Sequence, residues 1–187
     1  MKGLVTRCCM MIGCIILGGC INMKLAIIAN ENPPFHFEQY FLGHTKASGW
    51  FTDRFGNVKR HFCGDFYGFF DNNEFVLDES LYYVDGIIEK RTWRVTNDNN
   101  GSMIARSSAL VGDAVGKING NTLYLEYVMK VEVEPGKKWA LSMKDWMFFQ
   151  PDGSLHNATY VHKWGVRLGT VSTQYIKHDG LLSCAKA

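Results

Sequence analysis

From residue 53 onward, turn-forming residues interrupt the chain at short intervals. Asp53-Arg54-Phe55-Gly56-Asn57, Asp71-Asn72-Asn73, Asp85-Gly86, Asn97-Asp98-Asn99-Asn100-Gly101, Asn119-Gly120-Asn121, Pro135-Gly136-Lys137 and Pro151-Asp152-Gly153 each hold residues that tolerate positive φ or preset a turn. Between them lie runs rich in aromatic and β-branched residues with partial alternation, such as Phe75 to Val84, Ile87 to Val95 and Thr122 to Val133. These read as strands. No helical period is long enough to form a crossover, so the strands join as antiparallel hairpins.

Counting from Gly49 gives about eight or nine long neighbouring strands. Closure into an up-and-down barrel removes their unpaired edges, and a barrel of about that size encloses either side chains or one small ligand. The expected fold is therefore an all-β, antiparallel up-and-down barrel of about 8–10 strands, with a two-sheet sandwich as the alternative. Phe37 to Leu42 reads as a short helical turn plugging one end. Aromatic residues make up 13% of the chain, and they either fill such a barrel or line an apolar cavity in it.

With Asp85-Gly86 as a two-residue turn, Val84 faces Ile87. Asp78, Ser80 and Tyr82 then share a face with Glu89, Arg91 and Trp93, while Leu77, Glu79, Leu81 and Tyr83 share the other with Ile88, Lys90, Thr92 and Arg94. Neither face is cleanly apolar. A partly polar interior, a rim position or a slipped register each accounts for this, and Asp78 with Arg91 and Glu79 with Arg94 read as cross-strand ion pairs.

The chain opens with Lys2 and Arg7 followed by an uncharged, mostly apolar run, Cys8 to Gly19, and then Leu17-Gly18-Gly19-Cys20 reads as a bacterial lipobox. Twelve apolar residues make about 18 Å of helix, too short for a bilayer core of about 30 Å. The competing reading, an uncleaved anchor continuing to Ile28, places Asn22 and Lys24 in or just below the membrane. We read residues 1–19 as a signal peptide, Cys20 as lipidated, 20–34 as a tether in which Leu25 to Ala29 is either a short strand or plain linker, 35–178 as one domain and 179–187 as a flexible tail. Ile21, where an aspartate would signal inner-membrane retention, points to an outer-membrane lipoprotein facing the periplasm.

Without Lys2 and Arg7, 18 basic side chains face 18 acidic ones, a balance that leaves no overall electrostatic footprint for nucleic acid or for anionic lipid surfaces. Cys63 and Cys184 remain in the folded part and can pair in an oxidising compartment. Because Cys184 lies in the tail, the expectation is a semi-buried Cys63 thiol and no disulfide.

Phe41-Leu42-Gly43, Gly49 to Gly56, Leu77-Asp78-Glu79, Tyr83-Val84-Asp85-Gly86, Arg91-Thr92-Trp93, Val111 to Gly116, Gly120-Asn121, Tyr127, Asp145-Trp146-Met147, Asn157 and Lys163-Trp164-Gly165 follow one another in order across Phe37 to Lys177. This pattern resembles the bacterial lipoprotein family known as domain of unknown function 3833 (DUF3833). The resemblance implies a lipid-anchored protein with a lipocalin-like barrel, and no reaction. The chain departs from the family's pattern at Ala109-Leu110, before Val111-Gly112, and at Lys144, before Asp145-Trp146, where relatives tend to carry acids. Both departures weigh against a mechanism built on a fixed carboxylate cluster.

Catalytic signatures are weak. There is no Gly-x-Ser-x-Gly elbow. Gly112 to Lys117 is one residue short of a phosphate loop and continues with Ile118 where a hydroxyl should hold magnesium, so it reads as a glycine-kinked strand entering a turn. His61 and Cys63 lack a second pair at zinc-like spacing, His162 lacks an identifiable partner, and Asn157-Ala158-Thr159 is a sequon without meaning in a bacterial lipoprotein. No catalytic residue, metal or cofactor is assigned. The candidate ligand site comprises Trp50, Asp78, Glu79, Tyr83, Arg91, Trp93, Asn121, Tyr127, Asp145, Trp146 and Lys163. The leading expectation is a hydrophobic or fatty-acid-like ligand, with aromatic walls and Arg91 or Lys163 facing an anionic head. The alternatives are an envelope lipid-modifying enzyme using Glu79 or Asp145, and a ligand-free structural partner with a filled barrel.

Overall fold

In the computed structural model, residues 32–98, 100–134, 136–178 and 183–186 are described. The lipobox with Cys20 and most of the tether lie outside them. A short helix α1 (Phe37–Phe41) precedes ten strands: β1 (Gly43–Asp53), β2 (Val58–Asp71), β3 (Glu74–Tyr83), β4 (Ile88–Asn97), β5 (Ser102–Arg106), β6 (Ala114–Asn119), β7 (Thr122–Glu134), β8 (Lys137–Phe149), β9 (Leu155–Lys163) and β10 (Val166–Lys177). Each strand pairs antiparallel with its neighbour in sequence. The ring closes where β10 returns to β1, with Ala47 opposite Tyr175 and Gly49 opposite Thr173. The expected up-and-down barrel is thus the fold, with its first strand starting at Gly43, earlier than the count from Gly49.

The hairpin registers decide which side chains face inward. At the β3–β4 connection, the Tyr83 amide donates to the Ile87 carbonyl at 3.0 Å and the Gly86 amide donates back to Tyr83 at 3.0 Å. The loop is therefore the three residues Val84-Asp85-Gly86, with Gly86 at φ 83°, a left-handed position that glycine adopts without a Cβ clash. The same pair of bonds closes Asp53–Asn57, Asp98–Ser102 and Gln150–Ser154. This corrects the two-residue turn expected at Asp85-Gly86, and a shift of one residue moves every side chain to the opposite face. Glu79 stands opposite Arg91, and Asp78 opposite Thr92. Leu77, Glu79, Leu81 and Tyr83 face inward with Glu89, Arg91, Trp93 and Val95. The expected pairs Asp78–Arg91 and Glu79–Arg94 do not form. Arg91 bonds Glu79, Arg94 bonds Glu74 and Asp71, and the Thr92 hydroxyl donates to Asp78.

Helix α1 forms the floor. Phe37 lies 4.8 Å from Phe41 and packs edge-on against Phe75, while Phe41 meets Tyr175 edge-on at 5.6 Å. Gly68 of β2 lets this plug seat, since a Cβ there would lie 2.1 Å from the Phe41 carbonyl oxygen. At the opposite end the barrel is open. Its wall is lower on one side because β5 and β6 are short. β4 pairs with β5 only from Arg94 to Asn97, and the loop after β5 is tied to β7 instead, through the Val111 amide on Val128 and the Lys130 amide on Ala109, both at 2.8 Å.

Cys63 and Cys184 form a disulfide with Cα atoms 5.7 Å apart. The expected free thiol and loose tail are corrected at this point. Asp65, two residues along β2 on the same outward face, accepts the Cys184 amide at 3.0 Å and the Ser183 hydroxyl at 2.7 Å, which holds the tail beside Cys63. The bond spans 121 residues, so it removes much of the entropy of the unfolded chain. Cys184→Ser is expected to cost about 2–5 kcal/mol, measured as a lower urea midpoint under oxidising conditions and no further change on adding reductant.

Candidate functional site

Alternation along each strand turns one residue in two into the barrel, and together these side chains enclose a cavity of about 500 Å³. That is the size of a small-molecule site. The floor is Phe37, Phe41 and Phe66, the walls are mostly Leu and Met from β3, β7 and β8, and the mouth is bordered by Phe51, Phe62, Tyr83, Trp139 and Leu168. Midway down, a polar cluster interrupts the apolar wall.

On one side of the cluster, Arg91 of β4 donates to Glu79 at 2.6 Å and also to Glu89, while the Trp93 indole nitrogen donates to the second Glu79 oxygen at 2.8 Å. Burial works against the guanidinium charge, but the Glu79 and Glu89 carboxylates outweigh it and hold the Arg91 pKa above its ordinary value. Nearer the mouth, Arg60 stacks on the Tyr83 ring at 3.4 Å and bonds Asp85 at 2.8 Å. Burial, and secondarily Glu89, push the Tyr83 phenol up to about 12.

The opposite wall carries Asp145 of β8, 5% exposed. Its carboxylate accepts from Asn157, from the Thr159 hydroxyl at 3.0 Å and from the Tyr127 hydroxyl at 3.1 Å. No ion pair reaches it among the described residues. Burial raises its pKa above 3.8, against the pull of those donors, and Glu79 across the cavity adds to the rise. Tyr127 is also raised, first by burial and then by Asp145, and its ring packs edge-on against Trp93 at 5.7 Å. The arrangement is an acid that burial favours in its neutral form, held by three donors, beside an arginine already balanced by two carboxylates.

Of the candidate positions, Glu79, Tyr83, Arg91, Trp93, Tyr127 and Asp145 converge on the cavity. The others lie elsewhere. Trp50 and Asp78 face outward, and Trp146 packs on the outer wall between Tyr124 and Phe148. Asn121 bonds the Phe149 carbonyl at the floor end. Lys163 sits on the rim, 4.3 Å above the Trp139 ring. The reading from sequence left out Glu89, Asn157, Thr159 and Arg60. The first three were within reach of it: the Gly86 and Gly153 turns, each with glycine third in a three-residue loop, place Glu89 beside Leu81 and set Thr159 opposite Asp145. Arg60 also follows from alternation, since it shares the inward face of β2 with Phe62 and Phe66, and Phe62 stands opposite Tyr83.

Two outcomes follow. Arg91→Gln leaves two carboxylates without their cation and is expected to lower stability by about 3–5 kcal/mol, read from a urea midpoint. For Asp145, the folded chain keeps its proton at pH values where the unfolded chain has lost it. This contribution to stability is fully present below 3.8 and is lost as pH rises through the folded pKa. In Asp145→Asn, which is always neutral and keeps the acceptor toward Thr159, that loss is absent. Its urea midpoint should gain on that of the native chain as pH rises from about 4 toward neutrality, whereas an unshifted carboxylate would leave the difference constant.

Among curated proteins no match to the chain is found. A family model described as protein of unknown function (DUF3833) matches residues 14–177, and the chain belongs to that family.

Proposed function

We propose that this chain is a lipid-anchored protein of the bacterial envelope, attached through Cys20 and facing the periplasm from the outer membrane, that binds a hydrophobic small molecule or lipid inside its barrel. The cavity carries this reading: about 500 Å³, apolar on its walls, closed below by α1 and open above. A ligand-free structural partner would call for a filled barrel, which does not fit that volume. The Cys63–Cys184 disulfide supports an oxidising compartment.

The polar cluster narrows the ligand class. Arg91 is occupied by Glu79 and Glu89, so an anionic head would have to displace a carboxylate from it. Lys163 lies at the rim. The groups facing the cavity at depth, Tyr127, Asn157, Thr159 and Asp145, suit a neutral hydroxyl, carbonyl or amide on an otherwise apolar molecule.

The protein purified without detergent is expected to carry a lipid in stoichiometric amount, seen by native mass spectrometry and identified after extraction. A long-chain alcohol should displace a fluorescent hydrophobic probe at least as well as the matching fatty acid. Val161→Trp, which adds bulk at a buried cavity wall, should abolish uptake while the fold is retained. An empty native protein that also takes up no probe would remove the ligand-binding reading.

One observation favours a second reading, an enzyme acting on envelope lipids. Asp145 is a buried acid with a raised pKa and a tyrosine hydroxyl 3.1 Å away, the arrangement a general acid requires. Turnover of the extracted lipid by the native protein, lost in Asp145→Asn while uptake persists, would establish it.

A further inference from the structure

The two ends of the barrel differ in what their turns expose. At the floor the turns are Asp71-Asn72-Asn73-Glu74, Asn97 to Gly101, Asn119-Gly120-Asn121 and Gln150 to Ser154, all polar apart from Pro151. The exposed apolar side chains near that end, Leu42, Phe70 and Ile176, lie at or beside strand ends and not on turn tips. At the mouth the β7–β8 turn, Glu134 to Lys137, is polar, but three of the other tips carry exposed apolar side chains. Phe55 is 75% exposed, Val84 76% and Trp164 90%, all on turn tips, and Ile87 and Val166 beside them at strand ends are exposed as well, as is Val111 in the loop after β5. Phe55, Val84, Ile87, Trp164 and Val166 lie on three separate turns around the opening, above the half-buried Phe51, Phe62, Tyr83 and Leu168 that border the cavity, while Val111 lies lower, where its amide bonds Val128.

Trp164 stands out on conformation as well as exposure. With Gly165 it forms a two-residue turn in which both residues have positive φ, 50° and 78°, because Lys163 pairs with Val166. That turn favours Asn-Gly, and a tryptophan there carries a Cβ clash without any burial to offset it. Among the described residues its one close aromatic or charged neighbour is the Lys163 ammonium, 4.7 Å above its ring. Arg54 covers Phe55 in the same manner at 4.7 Å. The carboxylates of the mouth are largely committed: Asp53 to Lys59, Asp85 and Glu89 to Arg60, and Glu134 to Lys137. Arg54, Lys138, Lys163 and Arg167 have no carboxylate partner among the described residues, against the single unpaired Glu132.

We propose that the mouth of the barrel is a membrane-docking surface, whose apolar tips insert into the interfacial layer of an anionic bilayer while Arg54, Lys163 and Arg167 meet its phosphates. Exposed aromatic rings beside cations, set as separate wedges around an opening, match a headgroup layer that has apolar chains beneath and charge above. They match a protein partner less well, since that would need a continuous patch. Seated this way, the cavity opens onto the acyl chains, and a lipid passes between bilayer and barrel without crossing water. This last step rests on the reading of the cavity as a ligand site; the docking itself does not.

The test uses the full chain reconstituted in vesicles of phosphatidylethanolamine and phosphatidylglycerol whose acyl chains carry bromine, a short-range quencher of tryptophan. The native protein should show a quenched component that is missing in Trp164→Asn, a substitution the turn accepts. That component should weaken when phosphatidylcholine replaces phosphatidylglycerol. Adding Phe55→Asp and Ile87→Asp should slow transfer of a fluorescent lipid between vesicles by about tenfold or more, with uptake of a monomeric probe from solution unchanged. Equal quenching of native and Trp164→Asn chains, or undiminished transfer by the triple variant, overturns the proposal, and capture of the tips by a protein in place of lipid does the same. Loss of probe uptake in the native chain would instead count against the cavity reading and leave the quenching result to decide docking.

Discussion

Closure of ten strands into one ring is the constraint on which the rest depends. Around eight strands leave an interior that opposing side chains just fill, so ten leave a gap unless something else occupies it. At the floor that something is α1, whose Phe37 and Phe41 insert among Phe66, Phe75 and Tyr175. Among the described residues nothing comparable descends from the mouth, where the other turns are short and the longer loop after β5 is tied to β7. The cavity is therefore a consequence of strand number together with a plug at one end only. Gly68 belongs to this arrangement because its missing Cβ is the space the helix backbone occupies.

A cavity of this kind makes its polar groups costly unless each is satisfied. The two halves of the cluster meet that requirement in different ways. Glu79, Arg91 and Glu89 balance charge with charge, helped by the Trp93 indole, and form a rigid fixture of the wall. Asp145 has only neutral donors, and burial answers by favouring its protonated form. The first arrangement has little capacity left for a ligand. The second retains unused acceptor lone pairs on Asn157, Thr159 and Tyr127, whose own protons go to Asp145 and the Trp146 carbonyl, and a protonated Asp145 supplies one O–H donor, which is why the site favours a neutral polar group over an acid.

Much of this was legible in the residues. Turn signals recurring along the chain, with partial aromatic alternation between them, sufficed for the closed barrel and for the plug at Phe37. What they did not settle was register. Asp85-Gly86 read as a two-residue turn differs from Val84-Asp85-Gly86 by one position, and that one position exchanges Glu79 for Asp78 inside the barrel. Trp146 and Trp50 failed for a related reason: an aromatic side chain looks the same in sequence on either face, and only the parity of its strand sends Asp145 in and Trp146 out. Cys184 was misread because the feature that fixes it, the Asp65 carboxylate, is 119 residues away and has no local signature.

The difference between the two ends was visible in the sequence but became meaningful only once the topology was known. A meander sends alternate turns to opposite ends, so turns read in chain order mix two populations. Sorted by end, the floor turns hold asparagine, aspartate and glycine, as their backbone geometry favours. The mouth turns keep the same geometry and yet carry Phe55, Val84 and Trp164. Turn chemistry accounts for the glycines at both ends and for none of those three residues. Stability of the isolated chain gives no reason to retain an exposed tryptophan in a left-handed conformation, so the reason has to lie in what the mouth meets, and the same opening is the route by which a hydrophobic ligand reaches the cavity.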